Sequence, residues 1–287
     1  MRGNTYSKNH TTLTTAEDKF WEFSWDEMQM YDLPAMIDYA LKTTNQTSLY
    51  YIGHSQGTLT MFSRLSLDPN FGSKIKKFFA FAPIGTVKYA KGLLPVFSQN
   101  FIGELELFQD IFGAGEFLGQ GGAFDLIAQW ICDSIDGDKV CDSVIFLISG
   151  PETTDQFNAT RTEVYIANDP AGTSTQNMIH WMQMFIAGTV TRFDYGSDRK
   201  NQQHYGTKTP PSYNFTTVAT DMYLYWSDDD FLADPQDFNE LLLPMLNPDY
   251  VKLNNHLSGF SHLDFVWGMR AADVLYRPII EIIRADN

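Results

Sequence analysis

The feature that most constrains the fold is a glycine-rich turn between an apolar run and a helical pattern. The apolar run, residues 49–52, is rich in aromatic and β-branched side chains and predicts a buried strand. The turn, Gly53-His54-Ser55-Gln56-Gly57, follows at once and leads into the helical pattern. A second apolar run, residues 78–82, is stopped by Pro83 and predicts the next strand. This order is typical of a parallel sheet whose strands are joined by helical crossovers.

The segment before the first strand predicts a helix, because apolar side chains recur at helical spacing from Leu33 to Leu41. Asp32 is predicted to be its N-cap, and Pro34 fits its first turn.

The rest of the chain can be divided into two regions by its predicted secondary structure. Between residues 86 and 212 long helical patterns replace the alternation of strands and helices, which resumes with a strand at 222–226. Later come a helix from Asp234-Pro235, a strand at 251–257 and a C-terminal helix from Ala271. We therefore predict an α/β core formed by residues 1–85 and 213–287, with a helical cap at 86–212.

The turn has the pattern G-x-S-x-G, which between a strand and a helix is typical of a nucleophile elbow. Such a bend exposes the serine hydroxyl at the carboxyl edge of the sheet, so Ser55 is the candidate nucleophile. Gly53 and Gly57 are predicted to leave no room for side chains at the bend.

An elbow serine needs a general base and a carboxylate that orients it, in the chain order serine, acid, histidine. His262 lies in a loop beyond the last predicted strand and is favoured over His256, which belongs to that strand. Three consecutive acids, Asp228, Asp229 and Asp230, follow the strand at 222–226. Chain order alone leaves all three open.

The charge balance excludes one class of partner. Twenty Lys and Arg against 35 Asp and Glu give a formal net charge of −15, which repels a phosphate backbone and argues against nucleic acid. No apolar run is long enough for a membrane span, and the polar residues 1–13 lack the apolar stretch of a signal peptide.

The cysteines and the N-glycosylation sequons indicate which cellular compartment the chain could belong to. Cys132 and Cys141 could be free or could close a small loop, and no further ligands for a structural zinc lie close by, so no metal site is predicted. Four N-x-[ST] sequons, which are candidate glycosylation sites, occur at Asn9, Asn45, Asn158 and Asn214.

Longer motifs cover nearly the whole chain: Trp25-Asp26-Glu27-Met28, Tyr31-Asp32-Leu33-Pro34, the turn at 53–57, Ala82-Pro83, residues 168–174, Gln176-Asn177-Met178, residues 232–237 and His262-Leu263-Asp264-Phe265. Together they resemble the acid lipase family of gastric and lysosomal lipases. The resemblance implies an α/β-hydrolase core with a helical cap and no cofactor. It also implies hydrolysis of neutral-lipid esters, such as triacylglycerols or sterol esters, at a lipid–water interface, and a secreted or lysosomal setting.

The resemblance also implies roles for individual residues. It selects Asp230 among the three acids and His262 as the base that activates Ser55. The backbone N–H of Gln56, with a second N–H from an earlier loop, would bind the oxyanion. The family's cap disulfide matches Cys132 and Cys141, and the apolar segment at 101–127 would partly line an acyl-chain pocket or a lid.

One departure from the family concerns the start of the chain. Only about fifty residues precede the nucleophile strand, and the His-Gly pair that marks the loop with the second oxyanion donor does not occur. We expect an N-terminally truncated core with an unpaired nucleophile strand, half an oxyanion hole, and weak or no activity. The alternative function is a non-catalytic paralogue or fragment that retains lipid binding.

Overall fold

The computed structural model describes residues 1–101, 113–119, 150 and 154–286. Cys132 and Cys141 lie outside these residues, as does most of the apolar segment at 101–127, so the disulfide and the role of the undescribed part of that segment stay predictions. In the described part of the chain, no helix is both long and apolar enough to cross a membrane.

The strands are β1 (Leu49–His54), β2 (Ile75–Phe81), β3 (Glu116–Phe117), β4 (Thr173–Ser174), β5 (Met222–Trp226) and β6 (Val251–His256). The α-helices are α1 (Trp25–Glu27), α2 (Leu33–Thr44), α3 (Gln56–Leu67), α4 (Leu93–Phe101), α5 (Thr162–Ile166), α6 (Thr175–Ala187), α7 (Asp198–Tyr205), α8 (Leu243–Met245), α9 (Asp264–Trp267) and α10 (Arg277–Ala285). Short 3₁₀ segments span Asp18–Trp21, Pro69–Lys74, Ala159–Arg161, Phe215–Thr217 and Pro248–Tyr250, and π-helical turns span Met28–Asp32, Asp237–Leu242 and Ala272–Tyr276.

Four strands form one parallel sheet in the order β1-β2-β5-β6. His54 pairs with Phe81, Phe81 with Tyr225, and Tyr225 with Asn255, so the carboxyl ends of the strands lie along one edge. The predicted strands at 49–52, 78–82, 222–226 and 251–257 are therefore present. Within the described residues β1 pairs with β2 alone, and Ile52 on this outer strand is 51% exposed.

The core lies between this sheet and the helices that cover it. Residues 78–81 of β2 are buried because the strand lies between two others and carries apolar side chains on both faces there. Phe62 of α3 packs edge-on against Phe78 of β2 and also contacts Phe215. Burying each such ring stabilises the fold by about 1.5–3 kcal/mol.

Helix α2 begins at Leu33, directly after Asp32 as predicted, but the capping role predicted for Asp32 is wrong. Asp32 has helical backbone angles, so the helical segment is continuous across it; it makes no capping bond, and its carboxylate accepts three hydrogen bonds from Arg2. The helical segment begins at Ser24, which forms a capping box with Glu27.

The described residues between 86 and 212 form helices and one small antiparallel sheet. β3 pairs with β4, Thr175 N–H donates to the Gly115 carbonyl at 2.9 Å, and α4 packs against α6. Helix α6 is one of the helices that the patterns between 86 and 212 predict. All four strands of the main sheet lie outside 86–212, and the division into core and cap stays a prediction.

Candidate active site

The turn after β1 holds Ser55 in a backbone conformation that few residues adopt. Its φ of 54° and ψ of −123° lie outside the regions that L-residues favour, as a nucleophile elbow requires. The Ser55 N–H donates to the Phe81 carbonyl at 3.0 Å, which ties the bend to β2. Helix α3 begins at the next residue.

The two glycines of the turn differ. A Cβ at Gly53 would lie 2.8 Å from the Gly57 carbonyl oxygen, a distance that real Cβ atoms essentially never show. A Cβ at Gly57 would meet only the Tyr51 hydroxyl, at 3.6 Å, which is ordinary contact. The prediction that neither position has room for a side chain is therefore right for Gly53 and wrong for Gly57, which lies in α3 and has room for a Cβ.

Three side chains, each from the chain after a different strand, meet at this turn. His262 Nε2 lies 2.8 Å from Ser55 Oγ, and His262 Nδ1 lies 2.9 and 3.0 Å from the two oxygens of Asp230. Asp230 and His262 are both buried. Because β1 and β5 end at the same edge, the loops that follow them bring Ser55 and Asp230 to opposite sides of one imidazole.

Local contacts hold Asp230 as an anion. Its Oδ1 accepts the N–H groups of Leu232 and Ala233 at 2.9 and 2.8 Å. Burial raises the pKa of Asp230, but the neighbouring His262 and these hydrogen bonds outweigh burial and bring the pKa below its usual value.

The three candidate acids have separate partners. The exposed carboxylate of Asp228 lies 2.7 Å from His256 Nε2, and Asp229 accepts the N–H of Gly259 at 3.1 Å. Of the three, Asp230 is the one whose carboxylate contacts His262. The structure thus separates alternatives that chain order left open, and it places His256 in β6 as expected.

Asp264 stabilises the loop that carries His262. Its Oδ2 accepts the Ser261 N–H at 2.7 Å and the Thr154 hydroxyl at 2.6 Å. Phe260 N–H donates to Ser227 Oγ at 3.2 Å, which ties the same loop to the end of β5. These contacts fix the backbone on both sides of His262.

A cavity of about 200 Å³ opens beside Ser55. Among the lining residues described, Ser55 and Gln56 are polar and all the others are apolar: Ile84, Val87, Leu93, Leu94, Phe97, Phe117, Leu118, Met178, Trp181 and Leu232. A pocket of this composition suits an apolar chain whose one polar end lies at the serine.

Comparison with known proteins shows that the chain is similar to lipases and matches an alpha/beta hydrolase family. A profile of the alpha/beta hydrolase fold matches residues 1–242. Lipase lipl-1 of Caenorhabditis elegans is 53% identical over 288 residues, which cover 100% of this chain and 71% of that protein. Gastric triacylglycerol lipase of Bos taurus is 39% identical, with 100% of this chain and 70% of that protein covered. Lysosomal acid lipase/cholesteryl ester hydrolase of Macaca fascicularis is 38% identical, with 99% and 69% covered.

The chain belongs to the acid lipase family of α/β-hydrolases. The fold has wider parallels: the crystal structure of an epoxide hydrolase from Bacillus megaterium matches with a TM-score of 0.51 at 11% identity, over 99% of this chain and 81% of that one. At that identity the likeness concerns the fold alone.

Sequence reasoning missed one residue of this acid lipase site. His54 is partly buried, and its Nε2–H donates to the backbone carbonyl of His262 at 2.8 Å, with the two rings 4.8 Å apart. Burial, and to a smaller extent the neighbouring His262, lowers the pKa of His54 to about 3, so the side chain is neutral. A usable signal was present, since His54 directly precedes the serine at the carboxyl end of β1.

The candidate glycosylation sites lie away from the triad. Asn9, Asn45 and Asn214 are exposed, whereas Asn158 is half-buried. Asn158 and Asn214 each accept hydrogen bonds from the N–H and hydroxyl of the threonine in their own sequon. Their modification stays a prediction.

Proposed function

We propose that this acid lipase is a serine ester hydrolase that cleaves neutral-lipid esters through an acyl-enzyme. The observation that carries the proposal is the 2.8 Å distance between His262 Nε2 and Ser55 Oγ, with Asp230 on the other ring nitrogen. This arrangement matches the roles of nucleophile, general base and orienting acid.

The mechanism follows from the proton positions. Asp230 accepts the Nδ1–H of His262 and so leaves Nε2 free to act as a base. Nε2 takes the proton of Ser55 as the serine oxygen attacks the ester carbonyl, and the resulting imidazolium donates that proton to the leaving alcohol. Water then attacks the acyl-enzyme with the same imidazole as base, which releases the fatty acid and restores Ser55.

The backbone N–H of Gln56 is the proposed donor to the oxyanion. Gln56 is the first residue of α3, where backbone N–H groups have no acceptor within the helix and the helix dipole favours negative charge. The tetrahedral oxyanion forms on the carbon bonded to Ser55 Oγ, next to this amide.

The cavity supports an acyl chain as the group that binds beside Ser55, because its described lining is apolar beyond Ser55 and Gln56. Two relatives are named for triacylglycerol and cholesteryl ester substrates. We therefore propose a glyceride or sterol ester as substrate, presented at a lipid–water interface.

The same relatives support a secreted or lysosomal setting, which we propose for this chain as well. The proposal includes a core of residues 1–85 and 213–287 with a cap at 86–212, a Cys132–Cys141 disulfide, and glycans at the four sequons.

Hydrolysis assays test the proposal. We expect weak but measurable release of acid by the purified chain from p-nitrophenyl butyrate and from emulsified triolein or cholesteryl oleate, and Ser55→Ala should lose at least about 10³-fold in kcat. A folded chain that binds the lipid emulsion without hydrolysing any of these esters would favour a non-catalytic lipid-binding protein.

A further inference from the structure

The side chain of Gln56 forms hydrogen bonds with residues in the first two turns of α6. Its Oε1 accepts two hydrogen bonds, from Asn177 Nδ2 and from Trp181 Nε1, each at 2.9 Å. Its Nε2 lies 3.2 Å from Met28 Sδ. The residue whose backbone N–H is the proposed oxyanion donor is thus held by its side chain from a separate helix.

Asn177 is itself held firmly. It is buried, its backbone N–H donates to the Ser174 hydroxyl at 3.0 Å, and its Oδ1 accepts the N–H of Trp25 at 2.8 Å. Its Nδ2 also lies 3.2 Å from Thr173 Oγ1. Because these bonds fix the amide group in one orientation, Asn177 presents a donor to Gln56 and cannot rotate without breaking several of them.

Trp181 has two contacts at once. Its indole N–H donates to Gln56, and its ring lines the cavity beside Ser55 together with Met178. A group that fills the cavity therefore touches the same side chain that holds Gln56.

We propose that Asn177 and Trp181 are positioning residues, which set the Gln56 backbone N–H against the oxyanion through the Gln56 side chain. The inference rests on the proposed function, because it needs the Gln56 amide to be the oxyanion donor. Helix α6 would then contribute to the rate of ester hydrolysis although neither side chain reacts. Filling of the cavity and placement of the oxyanion donor would be coupled through the Trp181 ring.

A double-mutant cycle between Trp181 and Gln56 tests this inference. Trp181→Phe keeps an aromatic ring and removes the N–H, whereas Gln56→Met keeps the backbone N–H and removes the acceptor. With p-nitrophenyl butyrate as substrate, we expect Trp181→Phe to lower kcat about fivefold, the effect of one lost hydrogen bond. In the Gln56→Met background the same change should lower kcat less than twofold.

Two controls separate positioning from packing. Trp226→Phe removes an indole N–H that donates to Asn254 Oδ1 at 2.8 Å, outside the proposed machinery, and should leave kcat unchanged. Butylboronic acid, which binds serine hydrolases as a tetrahedral anion, should lose affinity with Trp181→Phe in step with kcat. Any change in KM caused by the altered cavity wall should be the same in both backgrounds.

The outcomes are distinct. Equal falls of kcat in the two backgrounds, or unchanged boronate affinity, would overturn the inference and leave Trp181 as part of the cavity wall. A parent chain that neither hydrolyses the ester nor binds the boronate would instead defeat the proposed function. If Trp181→Phe unfolds, Asn177→Ser in the same cycle replaces it, since serine cannot reach Gln56 Oε1 as the asparagine amide does.

Discussion

At the scale of single residues, the site depends on the first four positions of the turn, each of which has a different physical role. Gly53 lets the backbone pass close to Gly57, and Ser55 takes the strained conformation. The His54 side chain bonds to the loop that carries His262, and the Gln56 side chain bonds to helix α6. The pattern G-x-S-x-G predicted the serine and the bend. It could not predict the roles of His54 and Gln56, because His262, Asn177 and Trp181, with which they form hydrogen bonds, lie more than a hundred residues away.

The two glycines give a matched pair of substitutions. Gly53→Ala should destabilise the fold by about 2–3 kcal/mol, because its Cβ would overlap the backbone at Gly57. Gly57→Ala should change the free energy of unfolding by between 0 and about 1 kcal/mol in the stabilising direction, since alanine favours a helix. Urea unfolding of both variants measures this difference, and equal losses of stability would contradict the contacts described for the turn.

His54 should act on the reaction rate through the backbone of His262. His54→Phe keeps a ring of similar size and removes the donor to the His262 carbonyl, so kcat should fall about fivefold with little change in KM. His54→Gln offers a donor from the equivalent position and should recover part of the rate. Steady-state kinetics on a soluble ester check the pair, and identical kcat values for Phe and Gln would exclude this positioning role.

At the scale of secondary-structure elements, prediction succeeded where local pattern and tertiary environment agree. β2 and β5 at the centre of the parallel sheet contain apolar runs because a strand lies on each side of them and their faces are largely buried, whereas the outer strand β6 alternates between half-buried and exposed residues. All four strands could be located from the sequence. The N-cap predicted at Asp32 is wrong because the helical segment already begins at Ser24. The Asp32 carboxylate instead accepts hydrogen bonds from Arg2, which is distant in the chain. Sheet order and the choice among Asp228, Asp229 and Asp230 likewise depend on contacts between distant segments.

Strand β1 gives a prediction at this scale. Within the described residues its outer edge is unpaired and carries the half-exposed Ile52, which is a template for pairing with another chain. Ile52→Lys should slow aggregation of the 287-residue chain, followed by light scattering, without changing kcat. Ile186→Lys is the matched control, because Ile186 is 52% exposed on a helix. Equal protection by both variants would point to general surface charge rather than to the strand edge.

At the scale of the whole molecule, buried titratable groups make stability depend on pH with opposite signs. Burial lowers the pKa of His180 to about 3, so between that pH and about 6.5 the unfolded chain takes up a proton that the folded chain does not. Stability is therefore lost as pH falls through this window. Burial raises the pKa of Asp26. In the folded chain this carboxyl keeps its proton to a higher pH than in the unfolded chain, so its contribution to stability grows as the pH falls.

His180→Gln isolates one of these contributions. His180 is fully buried, stacks on Trp25 with ring centroids 4.3 Å apart, and bonds Ser24 and Thr191, so glutamine removes the titration while it keeps hydrogen-bonding capacity. Between pH 5.5 and 4.5 the free energy of unfolding of the parent should fall by about 1.4 kcal/mol more than that of the variant. Urea unfolding at the two pH values measures this, and parallel slopes would show that His180 does not remain neutral in the fold.

The central claim is that the imidazole of His262 makes the hydroxyl of Ser55 nucleophilic, and covalent labelling tests it most directly. The chain is treated with a fluorophosphonate at pH 5 and pH 7, digested, and mapped by mass spectrometry, with His262→Gln and Ser55→Ala treated alongside. The account predicts one adduct on Ser55 in the parent, a labelling rate at least about 10³-fold lower in His262→Gln, and no adduct in Ser55→Ala. A folded parent that stays unlabelled, or one labelled equally fast without His262, would contradict it.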